Sequence, residues 1–190
     1  MKALEQPVLS DEELAAAAAR EGSAGPAFVE LLRRHQERVW RICYRLLGNE
    51  HDAHDAAQEV FVRLFTCRGQ FAGRSKYTTW VHGIAVRTSL NIRRSRSRRL
   101  RRVNPVSDES LEQSQPDQGS EENNAALSLD LMKMLDVLDE EDRALMILKY
   151  AEEYSYEELA EVFDLSISAC KMRLSRARDK LKARFPHAIE

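Results

Sequence analysis

The stretch SYEELAEVFDLSISACKMRLSRARDKL, residues 155–181, reads as two helices joined by a tight connector. Ser155 followed by Glu158 is a capping box, in which hydroxyl and carboxylate satisfy the backbone N–H groups that open a helix. Leu159, Ala160 and Phe163 give that short helix its buried side, with Ala160 small enough for a close crossing. FDLS (residues 163–166) is the connector, and Ser166 is placed to cap the next helix. There Ile167, Cys170, Leu174, Ala177 and Leu181 recur at spacings of three and four and are expected to face inward. Ser168, Lys171, Met172, Ser175, Arg176 and Arg178 then lie outward or at the margins, and Pro186 stops the helix.

Two such helices with a three- or four-residue turn form a helix-turn-helix, whose second helix fits the DNA major groove. Residues 167–182 hold six Lys or Arg and one Asp in a chain of 190 residues with net charge −2. Early side chains of that helix would read bases and later cations would hold phosphates. Plain solvation of a surface helix is the competing account.

Charge is equally uneven elsewhere. Residues 87–102 contain eight Arg and no acid, whereas residues 103–130 contain seven acids and no Lys or Arg. The second block is rich in Ser, Gln, Asn, Pro and Gly and poor in bulky apolar side chains, so burial cannot offset its ordering entropy. It is expected to be a flexible acidic linker. The arginine block admits three readings: a solvated helix end, a localisation-type tract, or a phosphate-binding patch. Phe71, Tyr77 and Trp80 precede it with Arg74 and Lys76 interleaved, a mixture suited to stacking and neutralising single-stranded bases; core packing explains each ring equally well.

Helical periodicity flanks the linker on both sides and no alternating strand pattern competes with it, so the fold class is all-α. Upstream, SDEEL (residues 10–14) is a capping box for a short leading helix. A long helix is predicted from Pro26 to Gly48 on a stripe of Phe28, Leu31, Leu32, Val39, Ile42, Cys43, Leu46 and Leu47. A second follows with Asp52 as cap and Ala57, Val60, Phe61 and Leu64 inward, which turns Asp55, Gln58, Glu59 and Val62 elsewhere. A third is predicted from Thr78 or Thr79, packing Trp80, Val81, Ile84, Ala85 and Thr88. Downstream, Leu127, Leu131, Met134, Leu135 and Leu138 form a stripe, and Asp139 caps the helix after it.

No apolar run is long enough to span a bilayer, and the N-terminus lacks the basic start and leucine-rich core of a signal peptide, so a cytoplasmic protein is expected. Cys43, Cys67 and Cys170 lack metal-ligand spacing and read as small buried hydrophobes; His51 and His54 read as a solvated helix start. Phosphate-loop, nucleophile-elbow and zinc-protease motifs are missing, so no enzyme activity, metal or cofactor is expected.

In this order the parts resemble the bacterial sigma factors of the extracytoplasmic-function (ECF) group of the sigma-70 family. DAHDAAQEVFVRLF (residues 52–65), TTWVHGIAVRTSLNIRR (residues 78–94) and the helix-turn-helix are similar to the family's motifs jointly and in sequence. Departures are His54 for Glu, Arg87 for Asn, Asn91 for Asp, Asp164 for the turn glycine, and Ala169-Cys170 for Thr-Val. Asp at the turn is tolerable because it enters left-handed backbone more easily than most residues. The resemblance implies a leader over 1–24, a region 2 domain over 25–102, the linker over 103–127 and a region 4 domain over 128–190.

It also implies a subunit that binds core RNA polymerase, through the clamp helices of the largest subunit and the flap of the second largest, and directs it to promoters. Asp55, Gln58 and Glu59 would grip the clamp. Phe71, Arg74, Lys76, Tyr77, Trp80, Arg87, Asn91, Arg93 and Arg94 would capture the melted strand of the minus-ten element. Ser168, Lys171, Met172, Arg173, Ser175, Arg176 and Arg178 would read the minus-thirty-five element in duplex DNA. An anti-sigma protein is the expected regulator. Residues 104–124 extend to about 70 Å at ~3.3–3.6 Å each, the span of about twenty base pairs, so two modules can reach separate elements of one promoter. A helix-turn-helix regulator acting without polymerase is the rival; a nucleic-acid-modifying enzyme lacks a carboxylate or metal cluster to support it.

Overall fold

The computed structural model describes residues 9–21, 25–103 and 134–186, without the side chains of 100–103. Regular structure among these residues is helical throughout. The acidic linker, with Leu127 and Leu131, lies outside the described residues.

Helix α1 (Asp11–Arg20) opens on the expected capping box, Ser10 accepting from the Glu13 N–H at 3.2 Å while the Glu13 carboxylate accepts from Ser10 N–H at 2.8 Å. It packs Leu14, Ala15 and Ala18 against α2 (Pro26–Leu47). Asp11 ties the two helices, 2.9 Å from Arg34 and 2.8 Å from His35. Along α2 the stripe of Val39, Ile42 and Cys43 is wholly buried. Burial pushes the Cys43 thiol up to about 11, the behaviour of a packing residue and not of a nucleophile. The helix stops where Gly48 turns left-handed, φ 81°, a conformation that a β-carbon disfavours.

Helix α3 (Glu50–Thr66) starts earlier than its sequence suggests. Asn49 is the cap, accepting from the Asp52 N–H at 2.8 Å, and Asp52 accepts in turn from the Asn49 amide and from Arg96. Asn was the better acceptor because it sits directly after the glycine that ends α2. After a short 3-10 turn (Arg68–Gln70), α4 (Tyr77–Val103) also begins ahead of the predicted Thr78 or Thr79. Its Tyr77 N–H donates to the Glu12 carboxylate of α1 at 3.1 Å, so this helix start is served from another element. Helix α4 continues through the arginine block to Val103.

In the C-terminal part, Asp139 caps α5 (Glu140–Tyr150), accepting from the N–H groups of Glu141 and Asp142. Ser155 and Glu158 form the capping box of α6 (Tyr156–Phe163), Asp164 takes the left-handed turn position with φ 54°, and Ser166 caps α7 (Ile167–Arg184). Cys170, Leu174, Ala177 and Leu181 face inward as their spacing requires, and Val162 joins them from α6. Ile167 does not; it is 38% exposed. It is the first residue of α7, and a side chain tilted toward the helix N-terminus has no preceding turn of its own helix to rest on there.

The C-terminal helices close on the N-terminal bundle, α6 and α5 against α4 and α5 against α2, so that one apolar core runs through both. At this seam the Tyr154 hydroxyl and His82 Nδ1 share a hydrogen bond, with both side chains buried. Burial, then the nearby charges of Arg38, His35 and Arg41, pushes the His82 pKa down to about 3. His82 is thus neutral when packed, and an unfolded chain takes up its proton below about 6.5. The seam's stability is complete above that pH and is lost as pH falls below it. Thermal melts at pH 7.5 and 5.5 should show a larger acid loss in the native chain than in His82→Gln, the difference approaching at most about 1.4 kcal/mol per pH unit.

Candidate nucleic-acid and polymerase interfaces

Three surfaces carry the residues singled out in the sequence. On α3, Asp55, Gln58 and Glu59 leave the helix opposite its alanine-rich buried side. Asp55 and Glu59 keep 64% and 44% of their side-chain surface exposed, and Val62, 63% exposed, adds an apolar centre one turn on. Asp55 lies 3.4 Å from His51, and Glu59 pairs with Arg63 along the same helix. The face is acidic, accessible and self-supported.

The second surface is the loop before α4 and that helix itself. Phe71, Tyr77 and Trp80 form one aromatic cluster, with ring centroids 5.1 Å apart for Phe71–Tyr77 and 5.6 Å for each pair that includes Trp80. Tyr77 is buried to 2%, and burial raises its hydroxyl well above the ordinary tyrosine range. It is the floor of the cluster, whereas Phe71 and Trp80 are half-buried and retain open ring surface. Arg74 and Lys76 are exposed in the adjoining loop, where Gly73 takes φ 64°. Further along α4, Asn91 is exposed, but the cations are engaged. Arg87 folds back over Gly83 and donates to the Val162 carbonyl at 3.4 Å. Arg93 pairs with Glu140 and donates to the Leu46 carbonyl at 3.1 Å; Arg94 meets Glu141 at 2.6 Å. Three of the residues expected on single-stranded DNA therefore lie against α5 and α6.

The third surface is α7. Ser168, Lys171, Met172, Arg176 and Arg178 are exposed and Ser175 is half-buried, a continuous outer strip. Lys171 also rests 5.1 Å over the Tyr156 ring. Arg173 is separate from it. Its guanidinium reaches Asp142 at 2.7 Å, Glu141 at 2.9 Å and Asp139 at 3.5 Å, bolting α7 to the start of α5. That hydrogen bond first, and the one from Arg94, hold the Glu141 carboxyl below the usual range. At about 100° per residue Arg173 sits about 140° around the helix from Ser168, next to the buried stripe, so the helical wheel carried the signal.

Sequence reasoning missed one further group. Arg38, Arg41 and Arg45 line one edge of α2 and converge on Glu152, in the turn between α5 and α6. Their spacing of three and four was the available sign; their partner, more than a hundred residues away, had none.

Profiles of known families match both parts of the chain: Sigma-70 region 2 over residues 31–99 and Sigma-70, region 4 over residues 128–181. The chain is 32% identical over 160 residues to the ECF RNA polymerase sigma factor SigE of Mycolicibacterium smegmatis, covering 84% of this chain and 62% of that protein. It is 28% identical over 165 residues to the ECF RNA polymerase sigma factor SigW of Bacillus subtilis, covering 82% and 87%. In fold it is similar to CnrH, solved in complex with the cytosolic domain of CnrY, with TM-score 0.67, 23% identity and coverage of 94% and 98%. A second likeness is to RpoE, solved with the anti-sigma factor NepR from Bartonella quintana, with TM-score 0.62, 24% identity and coverage of 85% and 98%.

Removal of the Arg173 fork leaves three carboxylates together, one of them buried. Arg173→Ala should lower stability by on the order of 1–2 kcal/mol, a fall in melting temperature of about 2–8 °C. Arg176→Ala, on the outer strip, should leave the melting temperature within about 1 °C of native.

Proposed function

The chain belongs to the ECF group of the sigma-70 family, and on that premise we propose that it is the promoter-specificity subunit of a bacterial RNA polymerase. It binds the core enzyme in the cytoplasm, selects promoters and has no catalytic chemistry of its own. Its proposed domains keep the bounds read from sequence: a leader over 1–24, region 2 over 25–102, the acidic linker over 103–127 and region 4 over 128–190.

The observation that carries this reading is the coexistence of an accessible acidic face on α3 with two separate surfaces that expose cations, the loop before α4 and the outer strip of α7. A DNA-binding regulator acting alone needs no such face. Asp55, Gln58 and Glu59 dock on the clamp helices, where carboxylates meet a basic partner, and region 4 engages the flap. Phe71 and Trp80 then stack bases of the melted minus-ten strand, with Arg74 and Lys76 along its backbone; Arg87, Arg93 and Arg94 join them once released from α5 and α6. Extruding a base costs a few kcal/mol, and each stack on an aromatic ring returns about 1–3 kcal/mol, so two half-open rings with adjacent cations suffice. Tyr77 supports those rings from below. Ser168, Lys171, Met172, Ser175, Arg176 and Arg178 enter the major groove at the minus-thirty-five element. Arg173 orients the reading helix, and its contact with bases is indirect.

An anti-sigma protein is the proposed regulator, since the similar folds of CnrH and RpoE were solved with partner proteins bound. Among the described residues no helix is long and apolar enough to cross a membrane.

Charge reversal tests the docking face. Asp55→Lys with Glu59→Lys, both on exposed positions, should leave melting unchanged and reduce co-elution with core polymerase and run-off transcription at least tenfold. Unchanged transcription, or tight operator binding without polymerase, overturns the reading. Within the holoenzyme, Arg176→Ala should weaken promoter binding and lower the slope of log affinity against log salt by about one.

A further inference from the structure

The seam between the two modules is held by charge that does not balance. Glu152 is 2% exposed in its side chain and is enclosed by three guanidiniums: Arg41 Nε at 3.2 Å and Arg45 Nε at 3.1 Å from Oε1, and Arg38 Nε at 3.7 Å from Oε2. Two of the three also take backbone oxygens of the turn. Arg38 donates to the Glu152 carbonyl at 3.3 Å, and Arg45 donates to that of Ala151. Glu37 is the other acid nearby, 4.0 Å from Arg41 with 88% of its side chain in solvent. Three cations on one helix edge are thus answered by a single buried carboxylate.

The turn is built to deliver that carboxylate. Glu153 takes φ 58°, the left-handed region that a β-carbon disfavours, and the strand of chain on either side is pinned by Tyr154 N–H to the Leu148 carbonyl at 3.0 Å and by Lys149 to the Tyr154 carbonyl at 2.8 Å. The pairing has a repeat. Arg93 and Arg94 of α4 meet Glu140 and Glu141, and Arg87 meets the Val162 carbonyl. These arginines all belong to the N-terminal module, and apart from Glu37 and the Leu46 carbonyl their acceptors lie in the C-terminal one.

We propose that the Arg38–Arg41–Arg45 ladder of α2 is a binding site for the phosphate backbone of promoter DNA, which Glu152 occupies in the closed chain as a carboxylate stand-in. Guanidinium forks bind phosphate and carboxylate with the same geometry, and successive phosphates of a strand, each carrying one negative charge, match three cations where a single carboxylate cannot. The ladder rises about 10 Å along the helix, about three phosphate steps of one strand at ~3.4 Å rise. DNA and Glu152 exclude one another, so occupation of the ladder by nucleic acid requires the modules to part. The ligand named here rests on the functional reading above; the seam itself does not.

The test uses the full chain and a fluorescein-labelled 40-base-pair duplex. Glu152→Gln should expand the free chain in small-angle X-ray scattering and tighten polymerase-free duplex binding about tenfold. Glu152→Gln combined with Arg41→Ala and Arg45→Ala should expand equally, lose that gain, and lower the salt slope by about two. A triple variant that binds as tightly as Glu152→Gln overturns the proposal, as does a Glu152→Gln chain that neither expands nor gains affinity. A second arm is independent of seam opening and of how Glu152→Gln folds. In the holoenzyme, Arg41→Ala with Arg45→Ala should weaken promoter binding and its salt slope while core polymerase affinity stays unchanged. A loss of core affinity with an unaltered salt slope assigns the ladder to an acidic protein partner and overturns the phosphate assignment. Should the chain fail to form holoenzyme at all, the functional reading fails, and the polymerase-free duplex still reports on the ladder.

Discussion

Guanidinium–carboxylate pairing between chain segments distant in sequence is the constraint on which this architecture turns. Helix formation accounts for the elements of each half, and apolar burial builds one core that runs through both. The orientation of the halves is set by arginines that leave α2 and α4 and by acids that cluster in α5 and in the turn before α6. Such pairs are demanding: a buried ion is stabilised only when its partner's geometry is good and its remaining hydrogen bonds are met. Glu152 meets that condition with three arginines, and Arg173 meets it in reverse with three acids. The neutral Tyr154–His82 bond lies beside the Glu152 site, where a protonated His82 would be repelled by Arg38 and Arg41.

This arrangement bears directly on function. A subunit that must hold two promoter elements at once has to present cations on two surfaces, and exposed cations bind any polyanion. In the closed chain the N-terminal cations of α2 and much of α4 are answered internally, while the outer strip of α7 and the acidic face of α3 stay open. On the proposed function, polymerase docking and promoter capture would draw on surfaces that differ in availability. The aromatic cluster has a similar division, with Tyr77 buried beneath Phe71 and Trp80, which are left partly open.

Much of the fold was legible because helical signals are local. The capping boxes at Ser10 and Ser155, the caps at Asp139 and Ser166, the left-handed turn at Asp164 and the stripe from Cys170 to Leu181 all depend on residues within four positions of one another. Errors arose where a distant or neighbouring group took over the local role. Asn49 displaced Asp52 as cap because α2 ends immediately before it, and Glu12 of α1 serves the start of α4 in place of Thr78 or Thr79. Ile167 departs from the inward face because it is the first residue of α7, and periodicity describes a face without saying how well its end is covered.

The sequence by itself determined that the chain is all-α, where its helices lie and which family motifs it carries, since propensity, capping and periodicity act over one or two turns. Only the tertiary structure decided which charged residues are free. Arg74, Lys171 and Arg176 are indistinguishable by composition from Arg93, Arg173 and Arg41, yet the first three face solvent and the others are spoken for. The reason is physical: a charge is neutralised through space within about 4 Å, and the carboxylates that do so lie from about thirty to more than a hundred residues away along the chain.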